Sequence, residues 1–442
     1  NKKIQYSPGI IFHQFLSEIT NNNSIILYAM LYLQKFVKLK EEDLSTAFYY
    51  SIGMGMMIYA ILFVVSPYVA DFYDAPVLKW LIRVTGLGFI YGPMGTPQSI
   101  ILQRRLDFAT PTKIGIVAKV ISGFIGVLMA FYGFGVWALT ISAMAAGIFS
   151  LICNCLVVCW YPKTGWSKES FVYLWGYGNK FMASQVIDTV YNNISPLFIG
   201  KYYSTADLGN FNRAQGYAAL PSQTLTGVIQ NVSFPVLSKL QDDEVKLVEG
   251  YRRMINTTAF IVFPCMMLLA ALARPLIICF ITAKWLPCVL LLQILCFSMM
   301  WYPIHAMNLN LLLVKGRTDL FLRLEVIKKV YGVILLFATL PLGLSLFCIG
   351  KIISSAIALI VNTWYNGKFV DLGFISQMKD LLPIFVLSVL MFGVVLGLTY
   401  IIYNEWFQIL IGAIVGIVFY IGMAFFFKMS ELNEVKYLLS RK

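Results

Sequence analysis

Seven charged side chains interrupt stretches of this sequence that are otherwise apolar: Arg83, Lys119, Lys180, Arg213, Arg274, Lys351 and a single acid, Asp188. A charge in an apolar helix is costly unless it faces a bundle interior or a water-filled cavity. Six bases against one acid would make such an interior net positive, which suits the holding of an anion. Lys180 and Asp188 are eight residues apart, a little over two helical turns, and so share nearly one face. Gln185 lies between them and Asn192 one turn beyond. That stripe reads either as the wall of a wet central cavity or as an internal packing pair that satisfies itself.

A second polar set lies in GNFNRAQGYAALPSQTLTGVIQNVSFPVLSKLQDD, residues 209–243. Arg213, Tyr217 and Leu220 mark one helical face, and Gln223, Thr226 and Gln230 mark a stripe further down; Gln215 stands beside the arginine. The spacing predicts a cavity-lining membrane helix rather than a loop, opened at Pro221, where the ring removes a backbone donor. Pro93, Pro97 and Pro303 predict similar breaks in two other helices. Bland readings stand beside these. Arg274 and Lys351 lie close enough to a boundary to snorkel, and Arg83 and Lys119 lie near helix ends. His305 reads more readily as a hydrogen-bonded interior histidine than as a proton relay. Cys153, Cys155 and Cys159 read as helix-packing residues, with no metal site or disulfide framework indicated.

The elements that must position these residues follow from composition. Of 442 residues 59% are apolar and only 12% are charged, where a soluble domain has about 25% charged. Runs such as SIGMGMMIYAILFVVS and PIFVLSVLMFGVVLGLTYII reach or approach the roughly 20 residues that cross a bilayer as helix. The chain is therefore an all-α polytopic membrane protein. Twelve helices are expected, near 44–66, 80–101, 114–132, 136–159, 176–199, 208–235, 254–278, 288–313, 324–340, 346–364, 383–403 and 407–427. The second and sixth are the most polar.

Charge orients this map. The segments 35–43, 102–113, 160–175, 238–253, 314–329, 365–382 and 428–442 together hold twenty-three Lys and Arg, while the opposite side holds only Lys79, Lys201 and Lys284. The basic side is cytoplasmic by the positive-inside rule, which puts the C-terminus in the cytoplasm. The net charge of +13 thus reports orientation and does not call for a nucleic-acid partner. No phosphate-cradling Gly-rich lysine loop, repeated filter or cluster of acids appears, which argues against a direct ATP motor, a channel and a membrane-embedded transferase. No cofactor is expected.

Six segments, LKEEDLSTAF (39–48), LQRRLDF (102–108), FYGFGVWAL (131–139), IGKYYSTADLGNFNRAQGYAALP (199–221), FPVLSKLQDD (234–243) and LLLVKGRTDL (311–320), occur in an order that resembles the polysaccharide-transporter branch of the multidrug/oligosaccharidyl-lipid/polysaccharide exporter superfamily. The resemblance covers roughly residues 38 to 427. It implies two helical lobes around a central cavity. Residues 44–159 would supply four helices of the first lobe, 160–175 a cytoplasmic linker and 176–364 the second lobe. Residues 365–382 would form a further linker, 383–427 two additional helices and 428–442 a basic cytoplasmic tail. Residues 1–43 do not follow the family pattern and are expected to be an atypical or incomplete segment.

The resemblance also implies a flippase of the bacterial inner membrane. Its substrate would be a polyprenyl-pyrophosphate-linked oligosaccharide for O-antigen, capsule or exopolysaccharide assembly, moved by alternating access. Basic residues would hold the pyrophosphate: Arg213 first, with Lys180, Lys119 and Arg83 as helpers. Asn192, Gln215 and Gln223 would meet sugar hydroxyls, and Asp188 would balance Lys180 or couple to a sodium ion or proton. Membrane lipids, a polymerase and glycosyltransferases are the implied partners. A cation-coupled multidrug exporter of the same fold is the alternative within transport. An envelope-polymer transferase or ligase is the alternative of another class.

Overall fold

The computed structural model describes residues 41–105, 107, 109–239, 243–315, 317–369, 372–432 and 434. Residues 1–40, which hold most of the N-terminal segment singled out above, lie outside the described residues, as does most of the tail. The chain divides into two compact units, Asn1–Leu208 and Gly209–Lys442.

In the first unit α1 (Glu41–Phe72) is a long apolar helix with three acids in its first turn, where they complement the helix dipole. The next span is broken into α2 (Val77–Gly86), α3 (Gly88–Tyr91), a 3₁₀ turn (Gly92–Gly95) and α4 (Thr96–Arg104). The break falls where Pro93 and Pro97 remove backbone donors. Leu78, Leu81, Ile82 and Phe89 of this segment pack with Ala70, Ala75 and Val136 into a buried core. Gly55 permits the approach of α1, since a Cβ there would lie 1.9 Å from the carbonyl oxygen of Phe89. Helices α5 (Ala109–Phe131) and α6 (Val136–Val158) form a hairpin closed at Gly133 and Gly135, both with positive φ. At the other end of α5, Asp107 accepts from the Thr110 amide at 3.0 Å and its hydroxyl at 2.6 Å. Those bonds hold the Asp107 carboxyl below its ordinary range. Helix α7 (Lys168–Tyr202) is capped by Ser167. Its start is tied to α1 by Ser170 donating to Asp43 at 2.7 Å and the Ser167 amide donating to Thr46 at 3.1 Å.

The second unit holds most of α8 (Thr205–Lys239), followed by α9 (Glu244–Ala271), α10 (Ala273–Phe280) and a 3₁₀ turn (Ala283–Trp285). Next come α11 (Cys288–Met299) and α12 (Tyr302–Val314), separated at the break expected from Pro303, then α13 (Thr318–Thr339), α14 (Leu344–Phe369), α15 (Phe374–Ile401) and α16 (Glu405–Phe426). Helix α9 packs along α15, α15 along α16, and α14 against α11, α12 and α13. Gly412 and Gly416 set one tight seam: a Cβ at either would meet Leu272 at 2.8 Å or Leu268 at 3.0 Å. Small residues four apart let membrane helices approach closely, where dispersion rather than water exclusion drives association.

Among the described residues, eight helical runs are long and apolar enough to cross a membrane: α1, α5, α6, Val245–Ala271, Cys288–Leu312, Leu344–Lys368, α15 and α16. Helices α7, α8 and α13 are long but more polar. Several helices outrun the roughly 20 residues a bilayer needs, so residues read from sequence as loop are helical. Arg323, Lys328 and Lys329, read within the segment 314–329, stand in α13.

Candidate functional site

Arg213 is exposed on α8, eight residues in from its start and so about 12 Å along the axis. Gly209, one turn earlier on the same face, has the Trp285 ring 3.7 Å from the position of a Cβ. The Arg213 guanidinium carbon lies 5.3 Å from the centre of that ring. The arginine therefore rests on an aromatic shelf, and the shelf limits how its fork can swing. No carboxylate pairs with it among the described residues. Gln215, two residues on, is half-buried, and its carbonyl oxygen is shielded without a hydrogen-bond partner. Gln223 is exposed further along α8. Pro221 lies inside this one continuous helix, and the neighbouring Ser222 hydroxyl donates to the Met299 carbonyl at 2.7 Å. That carbonyl would otherwise point at Pro303, which has no N–H to offer.

In the first unit Arg83 has structural partners. Its Nε donates to the Ser66 hydroxyl at 3.0 Å and one terminal nitrogen to the Phe63 carbonyl at 3.4 Å; the guanidinium lies 3.8 Å from the Phe63 ring centre. Arg83 clamps α2 onto α1. Lys119 is exposed on α5 and Asn192 is exposed on α7, while Asn193 is buried and donates to the Thr189 carbonyl at 2.9 Å. Lys180, Gln185 and Asp188 belong to helix α7, and their side chains lie outside the described residues. No hydrogen bond or ion pair joins any two of the candidate residues among the described side chains. Of the two cations read as snorkelling, Arg274 is exposed, and Lys351 is half-buried with its ammonium 5.3 Å from the Phe347 ring centre and 5.7 Å from that of Phe211.

Three polar constellations of the second unit join residues that the sequence did not link, although His305 was expected to be hydrogen-bonded. Buried Tyr251, Asn308, Asn366 and Gln377 come from α9, α12, α14 and α15. The Asn308 carbonyl oxygen accepts from the Tyr251 hydroxyl at 2.8 Å, from Asn366 at 2.6 Å and from Gln377 at 3.0 Å. The Asn308 amide in turn donates to the Ile304 carbonyl at 2.9 Å and to Gln377 at 3.2 Å. On the same helix His305 contacts the Ser355 hydroxyl at 2.9 Å. On α13 Lys328 pairs with Glu325, both largely buried. Asn308 and His305 carried a polar signal at a proline break; their partners are scattered along the chain and gave none.

Two units of packed helices, eight runs among the described residues able to span a bilayer and isolated cations on the more polar helices define a multi-pass helical membrane protein. The chain belongs to the polysaccharide biosynthesis protein family, whose model matches residues 29–290. It is 26% identical over 377 residues to the teichuronic acid biosynthesis protein TuaB of Bacillus subtilis (strain 168), covering 81% of this chain and 75% of that protein. It is 24% identical to the lipopolysaccharide biosynthesis protein WzxC of Escherichia coli (strain K12), over 65% of this chain and 58% of that one. In fold it is similar to the lipid II flippase MurJ in an inward closed conformation. The TM-score is 0.76 at 18% identity, with 96% of this chain and 92% of that chain covered. The family resemblance read from the six ordered motifs is borne out.

Proposed function

We propose that this chain is a flippase that moves polyprenyl-pyrophosphate-linked oligosaccharide units across the bacterial inner membrane by alternating access. The observation that carries the reading is membership of the polysaccharide biosynthesis family across residues 29–290. Support comes from the names of relatives, which include the succinoglycan biosynthesis transport protein ExoT of Rhizobium meliloti (strain 1021), and from the MurJ-like fold. The protein is thus a transporter and not an enzyme: translocation needs no covalent step, only a site that binds the headgroup and a protein that changes conformation around it.

Arg213 is the proposed pyrophosphate ligand. It is exposed, free of a carboxylate partner among the described residues, and held on Trp285. An arginine fork meets two phosphate oxygens at once where a lysine meets them as a point charge. Gln215 and Gln223 on the same helix and Asn192 on α7 are proposed to meet sugar hydroxyls, and Lys119 and Lys180 to help hold the pyrophosphate. Arg83 is held by Ser66 and the Phe63 carbonyl and ranks last among the substrate candidates. Asp188 is retained as a candidate for ion coupling. The basic end of the helices, and with it the C-terminus, is assigned to the cytoplasm by the positive-inside rule.

The test is translocation of a fluorescent polyprenyl-pyrophosphate oligosaccharide in proteoliposomes. Arg213→Ala is expected to lower flipping by about 10-fold or more, the loss of one charge-assisted contact, with Arg213→Lys intermediate and both proteins folded. Equal rates in all three would remove Arg213 from the transport path.

A further inference from the structure

Trp285 closes the 3₁₀ turn (Ala283–Trp285) between α10 and α11. Short-range bonds pin that turn: the Thr282 amide donates to the Ile277 carbonyl at 3.0 Å, the Trp285 amide to the Thr282 carbonyl at 3.1 Å and the Leu286 amide to the Ala283 carbonyl at 3.1 Å. Thr282 enters it at a φ of 151°, where a β-branched residue is strained. Strain of this kind persists only where the surroundings over-determine it. Here the turn carries one large ring onto the side of α8. Cζ3 and Cη2 of the indole lie 3.7 and 3.8 Å from the position of a Cβ on Gly209, and the ring centre lies 5.3 Å from the Arg213 guanidinium carbon.

The edge set against Gly209 is the outer edge of the six-membered ring, which has no polar atom. The N–H belongs to the five-membered ring, and it meets no acceptor among the described residues although the side chain is half-buried. An indole N–H can only donate, and buried tryptophans usually give it a partner. Lys284, exposed beside it on the same turn, meets no carboxylate among the described residues, and neither does Arg213. An unused neutral donor therefore stands with two unpaired cations, on two elements that touch.

We propose that Trp285 is itself a ligand of the headgroup: its N–H donates to a phosphate oxygen of the pyrophosphate that the Arg213 fork meets. This inference rests on the flippase reading and deepens it by adding a second element and an uncharged donor to the site. A pyrophosphate carries acceptors on two phosphorus atoms, and one guanidinium fork takes two of them. The indole N–H takes a further one, and being neutral it loses less hydration on contact than a second arginine would. The ring face meanwhile steadies the guanidinium, so one side chain supplies a donor and holds its neighbour's donors in place. Nothing covalent is made or broken.

The chain has nine tryptophans, few enough for each indole N–H to give its own peak in protein labelled with ¹⁵N-tryptophan and held in lipid nanodiscs. The Trp285 peak is the one lost in Trp285→Phe. It is expected to move when inorganic pyrophosphate or the lipid-linked oligosaccharide is added, and to move much less in Arg213→Ala protein. In proteoliposomes Trp285→Phe, which keeps a ring beside Arg213 and removes the N–H, should raise the KM for flipping at least about fivefold, with kcat and Tm held. Trp285→Ala removes the ring as well and should raise KM further. A KM unmoved by Trp285→Phe overturns the proposal, as does a Trp285 peak indifferent to the lipid-linked oligosaccharide in protein that flips it. A peak that moves with inorganic pyrophosphate in a protein that flips nothing supports the ligand and sinks the transport reading instead.

Discussion

Replacing Asn308 by alanine should be far more damaging than its size suggests, because one side chain is shared by three others. The substitution removes the Asn308 acceptor of the Tyr251 hydroxyl and the Asn308 amide donor to the Gln377 carbonyl oxygen. Asn366 keeps the Tyr251 hydroxyl at 3.1 Å and the Asn308 backbone carbonyl at 3.3 Å, and the Gln377 amide keeps the Leu372 carbonyl at 3.1 Å. Two buried groups are therefore orphaned. Each costs about 1–3 kcal/mol in a soluble core, and nearer about 0.6–1.7 in a membrane protein, whose unfolded state also finds partners. The expected loss is about 2–3 kcal/mol, or a fall in Tm of about 5–10 °C for a unit of this size. Tyr251→Phe is the control. Both former partners of that hydroxyl keep other bonds, so the expected loss is about 0.5–1 kcal/mol. Thermal unfolding of the purified protein in one detergent reads both. A Tyr251→Phe loss equal to that of Asn308→Ala, or an Asn308→Ala shift below about 2 °C, would refute the account of the network as a hub with Asn308 at its centre.

Arg83→Met keeps the side-chain length but removes two hydrogen bonds and the contact with the Phe63 ring. It should lower stability by about 1–2 kcal/mol while folded protein still flips substrate. Weaker substrate binding with no loss of Tm would return Arg83 to the substrate set. Asp107 supplies a pH-dependent prediction. Its carboxyl is held below the ordinary value by Thr110, so the ionised form stabilises the start of α5. That contribution is complete above the unfolded value of about 3.9 and disappears as pH falls through the lower folded value. The stability difference between the unmutated protein and Asp107→Ala should be constant at neutral pH and shrink only below about pH 4. A difference that shrinks between pH 7 and 5 would contradict it.

Much of this fold was legible in the order of its residues. Apolar runs of bilayer length, the glycines at 133 and 135 and the prolines at 93 and 303 correspond to spans, a hairpin and two helix breaks, because each acts on its own stretch of backbone. The family was legible in six ordered motifs. Helix ends were less so. Once a helix leaves the bilayer, amphipathic and capped ends such as Ser167 with α7 can extend it beyond the apolar run, and Arg323, Lys328 and Lys329 show how far a count of loop charges can stray into helix.

The fate of each charge was decided by tertiary structure. Arg83 and Arg213 look alike in sequence, a lone arginine within an apolar or weakly polar helix. One is tied to Ser66 and the Phe63 carbonyl of the preceding helix, and the other is left exposed on Trp285 from a turn more than seventy residues away. Asn308 and His305 stand three residues apart on one helix and meet different sets of partners. Sequence alone placed polar groups in the membrane, since hydropathy is a sum over neighbours along the chain. Which of them are satisfied is a matter of donors and acceptors within about 3 Å, and only the packing of distant helices sets those distances.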